Sequence, residues 1–207
     1  RFKHKNGKSD WRILMATKDN RRTKLTKMLL KNSLIGLMNT KPVNAITIKE
    51  ICEQADLNRS TFYLHYTDQY QLLKEIQDEL LTDTLSYLKD VSNDCSTILY
   101  IRFFLEYVKS NAPIFRILLC QPENAGFQSV FIEKTMGHVK SNLPSICSME
   151  TEKYVYGFVM HGCLQIIREW ISSGFDLPEN EMADIIYTLC HEIYQPEDQS
   201  SAAGSEP

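Results

Sequence analysis

TIKEICEQADLNRSTFYLHY, residues 47–66, reads as two short helices joined by a tight turn. Thr47 followed by Glu50 is a capping box, in which each side chain satisfies an amide left open at the start of a helix. Ile48, Ile51, Cys52 and Ala55 then fall at the spacing that gives a helix one apolar face. Asp56 ends that helix, because a short polar side chain tolerates the left-handed backbone of a tight turn. Leu57 is an apolar plug, and Asn58 is placed to cap a second helix that opens on Arg59-Ser60-Thr61. Phe62 and Tyr66, four apart, share one face of it, while Arg59, Ser60, Thr61, Tyr63 and His65 lie largely off that face. A short helix with donors at its N-terminal end, propped on another helix, is the geometry of a helix-turn-helix reading a major groove. On spacing alone, a two-helix corner with polar caps and no ligand fits as well.

The charge pattern separates the two. Residues 1–66 carry 14 Lys+Arg against 5 Asp+Glu, and the remainder carries 9 against 21, within a chain total of 23 against 26. A basic first third on an acidic remainder implies a polyanion-binding head on a body that does not bind DNA. At 207 residues and 43% apolar, the chain is that of a globular protein with a substantial core. The six cysteines (Cys52, Cys95, Cys120, Cys147, Cys163, Cys190) are scattered, with neither a C-x-x-C pair nor zinc-ligand spacing to a histidine. Several lie in apolar helical patterns, where free cysteine acts as a small hydrophobe. With no signal peptide and no apolar run long enough to span a membrane, the expectation is a reduced, cytoplasmic protein.

Taken in order, residues 1–20 read as a flexible basic arm, with Met15 a plausible true start. Gly7-Lys8-Ser9 lacks the earlier glycine of a phosphate loop, because position 2 is Phe. Arg21 to Met38 reads as the first helix, with Leu25, Met28, Leu29, Ile35 and Met38 as its stripe. Arg21, Arg22, Lys24, Lys27 and Lys31 crowd its N-terminal half. Pro42 and Asn44 break the chain before Thr47, so residues 21–67 form a three-helix head.

Arg22 through Leu73 resembles the N-terminal domain of the tetracycline-repressor (TetR/AcrR) family of bacterial transcription regulators. The residues that carry the resemblance are the first-helix stripe, Thr47-Ile48, Ile51, Ala55, Leu57, Thr61-Phe62-Tyr63, His65-Tyr66 and Leu72-Leu73. Asp56 replaces a usual glycine, Tyr66 a more usual phenylalanine, and Gln69 a common lysine. The resemblance implies a DNA-contacting set of Thr47, Lys49, Asn58, Arg59, Ser60, Thr61, Tyr63, His65 and Tyr66. The amides near Thr47 are an anion site for phosphate, with Tyr63 and His65 against the backbone. Arg59, Ser60 and Thr61 are the candidates for base edges, and Phe62 and Leu57 belong to the head's own core.

Residues 68–194 read as a larger helical body, for about nine helices in an all-α chain, and 195–207 as a disordered tail. The expected helices run from about Asp68 to Leu88, Ser96 to Ser110, Pro113 to Leu119, Phe127 to Leu143, Met149 to Ser173 and from about 178 to 194. Gly157 and Gly162 inside the longest of these point to close approach of another helix, and Gly174 to a C-cap. By resemblance, the last two helices, about 149–173 and 178–194, form a homodimer interface, and the body holds a small-molecule pocket. Phe103, Phe104, Tyr107, Phe131, Met160 and His161 are its candidate lining, although such residues mostly fill cores. No catalytic triad, cofactor loop or metal motif assembles. His191-Glu192 begins like a zinc-protease motif, but Gln195 stands where the second histidine belongs.

The expectation is therefore a DNA-binding regulator and not an enzyme, without cofactor, metal or membrane anchor. It reads a palindromic operator in double-stranded DNA as a homodimer and acts as a repressor released by an apolar or aromatic ligand. The alternatives are an activator or regulator controlled by a protein partner, and a non-specific nucleoid-binding protein.

Overall fold

The computed structural model describes residues 10–91, 96–142 and 149–193, with side chains over 20–90, 96–135 and 153–190. The first nine residues, the tail from 195, Cys95 and Cys147 lie outside the described residues. Nine α-helices span the described residues: α1 (Asp10–Met38), α2 (Ile48–Ala55), α3 (Arg59–Tyr63), α4 (Gln69–Val91), α5 (Thr97–Ser110), α6 (Ala112–Cys120), α7 (Ala125–Asn142), α8 (Met149–Ser172) and α9 (Glu179–Ile193). One-turn 3-10 segments at Val43–Ala45 and Pro122–Asn124 lead into α2 and α7. The chain divides into two compact units, residues 1–78 and 79–207.

Two boundaries differ from the sequence expectation. The first helix begins at Asp10 rather than Arg21, because Trp11 to Asn20 contain neither proline nor glycine to stop a helix from running back. The division between the units falls inside α4 rather than at residues 67/68. The physical reason is that the first turns of α4 belong to the head: Leu72, Leu73 and Ile76 are buried, and Glu75 reaches α1 to pair with two lysines.

In the head, α1 packs on α2 and α2 on α3. Leu30, Leu34, Met38, Ile46, Ile51, Cys52, Ala55 and Phe62 are buried. Lys27 and Lys31 on α1 close on the Glu75 carboxylate at 3.0 and 2.7 Å. Burial alone raises the Glu75 carboxyl, but the hydrogen bonds and charge of Lys31 and Lys27 outweigh it and hold the group below its usual range. Lys27 and Lys31 are thus internal ties, and the outward charge of this helix rests on the exposed Arg21, Arg22 and Lys24.

In the body, α5 packs chiefly on α9 and α6 on α8, with α7 against α6 and α8. Tyr107 stacks on Tyr87 at 4.7 Å, edge-to-face contacts continue through Phe115 to Phe131, and a tilted one leads on to Phe127. Asn124 Nδ2 donates to the Ile117 carbonyl at 3.0 Å, and Gln128 Nε2 to the Gln121 carbonyl at 2.9 Å, which fixes the α6–α7 corner. After α8 the chain reverses on Gly174 and Phe175, with φ of 75° and 64°. The turn is held by Phe175 N–H on the Trp170 carbonyl and Trp170 Nε1–H on the Leu177 carbonyl.

Candidate nucleic-acid interface

The two-helix stretch folds as its residues dictate. Thr47 is extended (φ −100°, ψ 152°), and its hydroxyl accepts from the Glu50 amide at 3.3 Å. The Glu50 carboxylate in turn accepts from the Thr47 amide at 2.9 Å and from its hydroxyl at 2.8 Å. Lys41 binds the other carboxylate oxygen at 2.5 Å. The Lys41 hydrogen bond, then those from Thr47, pull the Glu50 carboxyl down to about 2. The amide of Thr47 therefore already holds an anion of the chain's own, and a phosphate at this helix start would meet it. Asp56 sits in the left-handed region (φ 53°, ψ 47°), and its amide and that of Leu57 return to the Cys52 carbonyl. The turn thus forms without the customary glycine.

Asn58 occupies the N-cap of α3 with extended backbone, but its side chain makes no capping hydrogen bond. The buried side of the α3 segment is Phe62 at 0% exposure and Tyr66 at 3%, with ring centroids 5.7 Å apart. Lys27 Nζ lies 5.3 Å from the centre of the Tyr66 ring. Tyr66 is thus corrected from the DNA-contacting set to the core: its phenol ring takes the internal place that a phenylalanine would fill. On the outer side, Arg59, Ser60 and Asn58 are exposed, Tyr63 is 57% exposed, and Thr61 and His65 are half-buried. Lys49 points outward from α2 beside Glu53, at 3.6 Å.

Sequence reasoning passed over Leu64, which at 79% is the most exposed large apolar side chain among the described residues. The available signal was its position: a leucine one step from Tyr63 falls off the Phe62/Tyr66 face, where no core can receive it.

Of the six residues expected to line a pocket, five are buried or half-buried and one, His161, is exposed. Phe103, Phe104, Tyr107 and Met160 are half-buried, and the Phe103 carbonyl accepts from the Tyr87 hydroxyl at 3.0 Å. Phe131, 3% exposed, is packed against Phe115 and Phe127. His161 is exposed, and its Nδ1 lies 2.8 Å from the Gly157 carbonyl one turn back on its own helix. His161 therefore leaves the pocket set, because the helical period turns it away from the side of α8 that buries Tyr156, Val159 and Ile167. The pocket set omitted the half-buried Tyr100, whose buried hydroxyl finds no partner among the described residues. Burial pushes it up to about 12.

Gly157 and Gly162 stand open on α8. A Cβ at either position would meet nothing within 4 Å, so no other helix among the described residues approaches them closely. The same side of α8 exposes Tyr154 and Phe158 at 70% and 71%, and α9 exposes Ile185 and Leu189 at 40% and 49%. Among the described residues, no three His, Cys, Asp or Glu side chains gather to hold a metal, and no helix is long and apolar enough to cross a membrane.

A three-helix head with an outward-facing polar helix, followed by an all-helical body, has the architecture of a helix-turn-helix protein. Residues 97–192 match the family model TetR_C_8, a transcriptional regulator C-terminal region. A 51-residue segment is 29% identical to an uncharacterised HTH-type transcriptional regulator, YxbF, of Bacillus subtilis. That match covers 25% of this chain and 13% of the relative's length. A TetR transcriptional regulator from Streptococcus agalactiae superposes with a TM-score of 0.63 at 19% identity, over 84% of this chain and 98% of its own. The dihydroxyacetone kinase operon activator DhaS does so with a TM-score of 0.54 at 17% identity, over 82% and 96%. Residues 97–192 are thus similar to a transcriptional regulator C-terminal region, and the chain shares the fold of a solved TetR regulator.

Proposed function

We propose that the chain is a transcriptional regulator that binds a palindromic operator as a homodimer, represses the adjoining genes, and releases the DNA when a small apolar or aromatic ligand enters the C-terminal body. The observation that carries the reading is the outer side of the α3 segment, where Asn58, Arg59, Ser60, Tyr63 and Leu64 are all exposed around a buried Phe62/Tyr66 side. Arg59 suits a bidentate contact with guanine, Leu64 suits the methyl of thymine, and Tyr63 and Lys49 suit phosphates. One five-residue helix offers few base contacts, and two related by a twofold axis read a palindrome.

The dimer rests on the exposed apolar strip of Tyr154, Phe158, Ile185 and Leu189, whose glycine neighbours leave room for a second copy. Phe158→Glu tests it: sedimentation of wild type is expected to give a dimer, and the variant a monomer with sharply weakened operator binding. A variant that still sediments as a dimer would remove this strip from the interface. The ligand half of the reading is supported by the buried Tyr100 hydroxyl, which has no hydrogen-bond partner among the described residues and could donate to a ligand acceptor. Saturating effector raises the melting temperature through linkage, so a thermal-shift screen finds it. A second reading, an activator governed by a protein partner, draws support from the likeness to an operon activator and from rings that fill one another's space around Phe115. It predicts that no small molecule shifts the melting temperature.

A further inference from the structure

Cys163 on α8 and Cys190 on α9 are the closest pair of reactive groups that the DNA-binding reading leaves unused. Their sulfurs stand 3.7 Å apart, and both residues are only partly buried. The helical period places Cys163 in line with Tyr156 and Trp170, and Cys190 in line with Ala183 and Ile186, so both thiols lie on the inward sides of their helices. They share none of the surface that Tyr154, Phe158, Ile185 and Leu189 present. Cys52 and Cys120, the other described cysteines, form no disulfide: Cys52 is buried in the head, and the Cys120 thiol turns to the Arg168 carbonyl at 3.8 Å.

We propose that Cys163 and Cys190 are a reversible modification site, a dithiol that closes to a disulfide tying α8 to α9 by exchange with a low-molecular-weight disulfide. Closure needs the sulfurs to move from 3.7 Å to about 2.05 Å, a shift within the reach of side-chain rotation. The two thiols have different parts. Hydrogen bonding from Cys163 holds the Cys190 thiol below its usual range despite burial, and the same contact together with burial raises Cys163. Cys190 is thus the attacking thiolate. It forms a bond to one sulfur of the small disulfide, whose S–S bond breaks and releases a thiolate that takes up the Cys190 proton. Cys163 then gives up its proton and attacks the Cys190 sulfur, releasing the second small thiol. Two protein thiols are oxidised to one disulfide, and one small disulfide is reduced to two thiols. α8 and α9 otherwise touch each other only slightly, each packing mainly on another helix, so the new bond joins elements that are separately supported.

The test is incubation of the full-length protein with oxidised glutathione, followed by alkylation of the remaining thiols and peptide mapping without reductant. The expected result is a Cys163–Cys190 cross-linked peptide, no retained glutathione at either residue, full reversal by dithiothreitol, and a melting temperature raised by several degrees in the oxidised form. Cys163→Ser is expected to trap glutathione on Cys190, because the resolving thiol is gone. Alkylation of both residues to the same extent before and after oxidised glutathione would overturn the proposal. So would stable glutathione adducts on the wild-type pair, which would show two thiols that react separately.

Discussion

Replacing Tyr66 and Tyr63 separately by alanine divides the head's two aromatic roles. Tyr66 is 3% exposed, packs 5.7 Å from Phe62 and carries Lys27 above its ring. Truncating a buried aromatic costs about 3–5 kcal/mol, of which the cation–π contact supplies about 0.5–1 kcal/mol. In a unit of this size each kcal/mol lowers the melting temperature by about 4–8 °C. Tyr66→Ala is therefore expected to melt the head at least about 12 °C earlier. Tyr63, 57% exposed and touching Phe62 only edge-on, makes no comparable contribution, and Tyr63→Ala should change stability by at most about 0.5 kcal/mol. Its effect belongs in DNA affinity, as the loss of a contact to the phosphate backbone. Thermal unfolding by circular dichroism, paired with fluorescence anisotropy on labelled DNA below the melting range, separates the two. Tyr66→Ala with an unchanged melting temperature and weakened DNA binding would refute the assignment of Tyr66 to the core.

Two further perturbations probe the same unit. The Glu50 carboxyl is held at about 2 against 4.5 when free, so its contribution to stability is complete above about pH 4.5 and is lost as pH falls toward 2. Urea midpoints measured across that window should fall less steeply for Glu50→Gln than for wild type, and equal slopes would mean that Lys41 and Thr47 do not hold the carboxylate in solution. At Gly36 an added Cβ would meet only the end of the exposed Gln54 side chain, at 2.6 Å from Nε2, and that amide can swing into water. Gly36→Ala should therefore gain up to about 1 kcal/mol from helix propensity, and a loss of melting temperature would show that α1 and α2 pack too tightly there to admit a methyl.

How much of this was legible in the sequence depends on whether the deciding interaction was local. The Thr47/Glu50 capping box and the left-handed Asp56 were readable, because each is settled within a few residues of itself. The helical order of the body was readable from period, Pro113 and Gly174. Tyr66 was misplaced because a phenol ring suits a phosphate contact and a core equally well, and only the packing of Phe62 and Lys27 around it decides. Lys27 and Lys31 read as outward charge, because their partner Glu75 lies more than forty residues further along the chain. Gly157 and Gly162 signalled room beside a helix, but spacing does not say whether a neighbour within the chain or a second copy fills it. The pairing of Cys163 with Cys190 was invisible for the same reason, since it exists only where α8 and α9 meet.

Sequence reading by the head is tested by selecting bound sequences from a random DNA pool at near-physiological salt, with wild type and Arg59→Ala side by side. The account predicts a palindrome with half-sites about one helical turn or more apart. It also predicts that Arg59→Ala loses preference at one position per half-site, worth about 1–3 kcal/mol, and leaves the spacing unchanged. Enrichment of no sequence, with binding that vanishes as salt rises, would contradict it: the basic head would then grip phosphates alone.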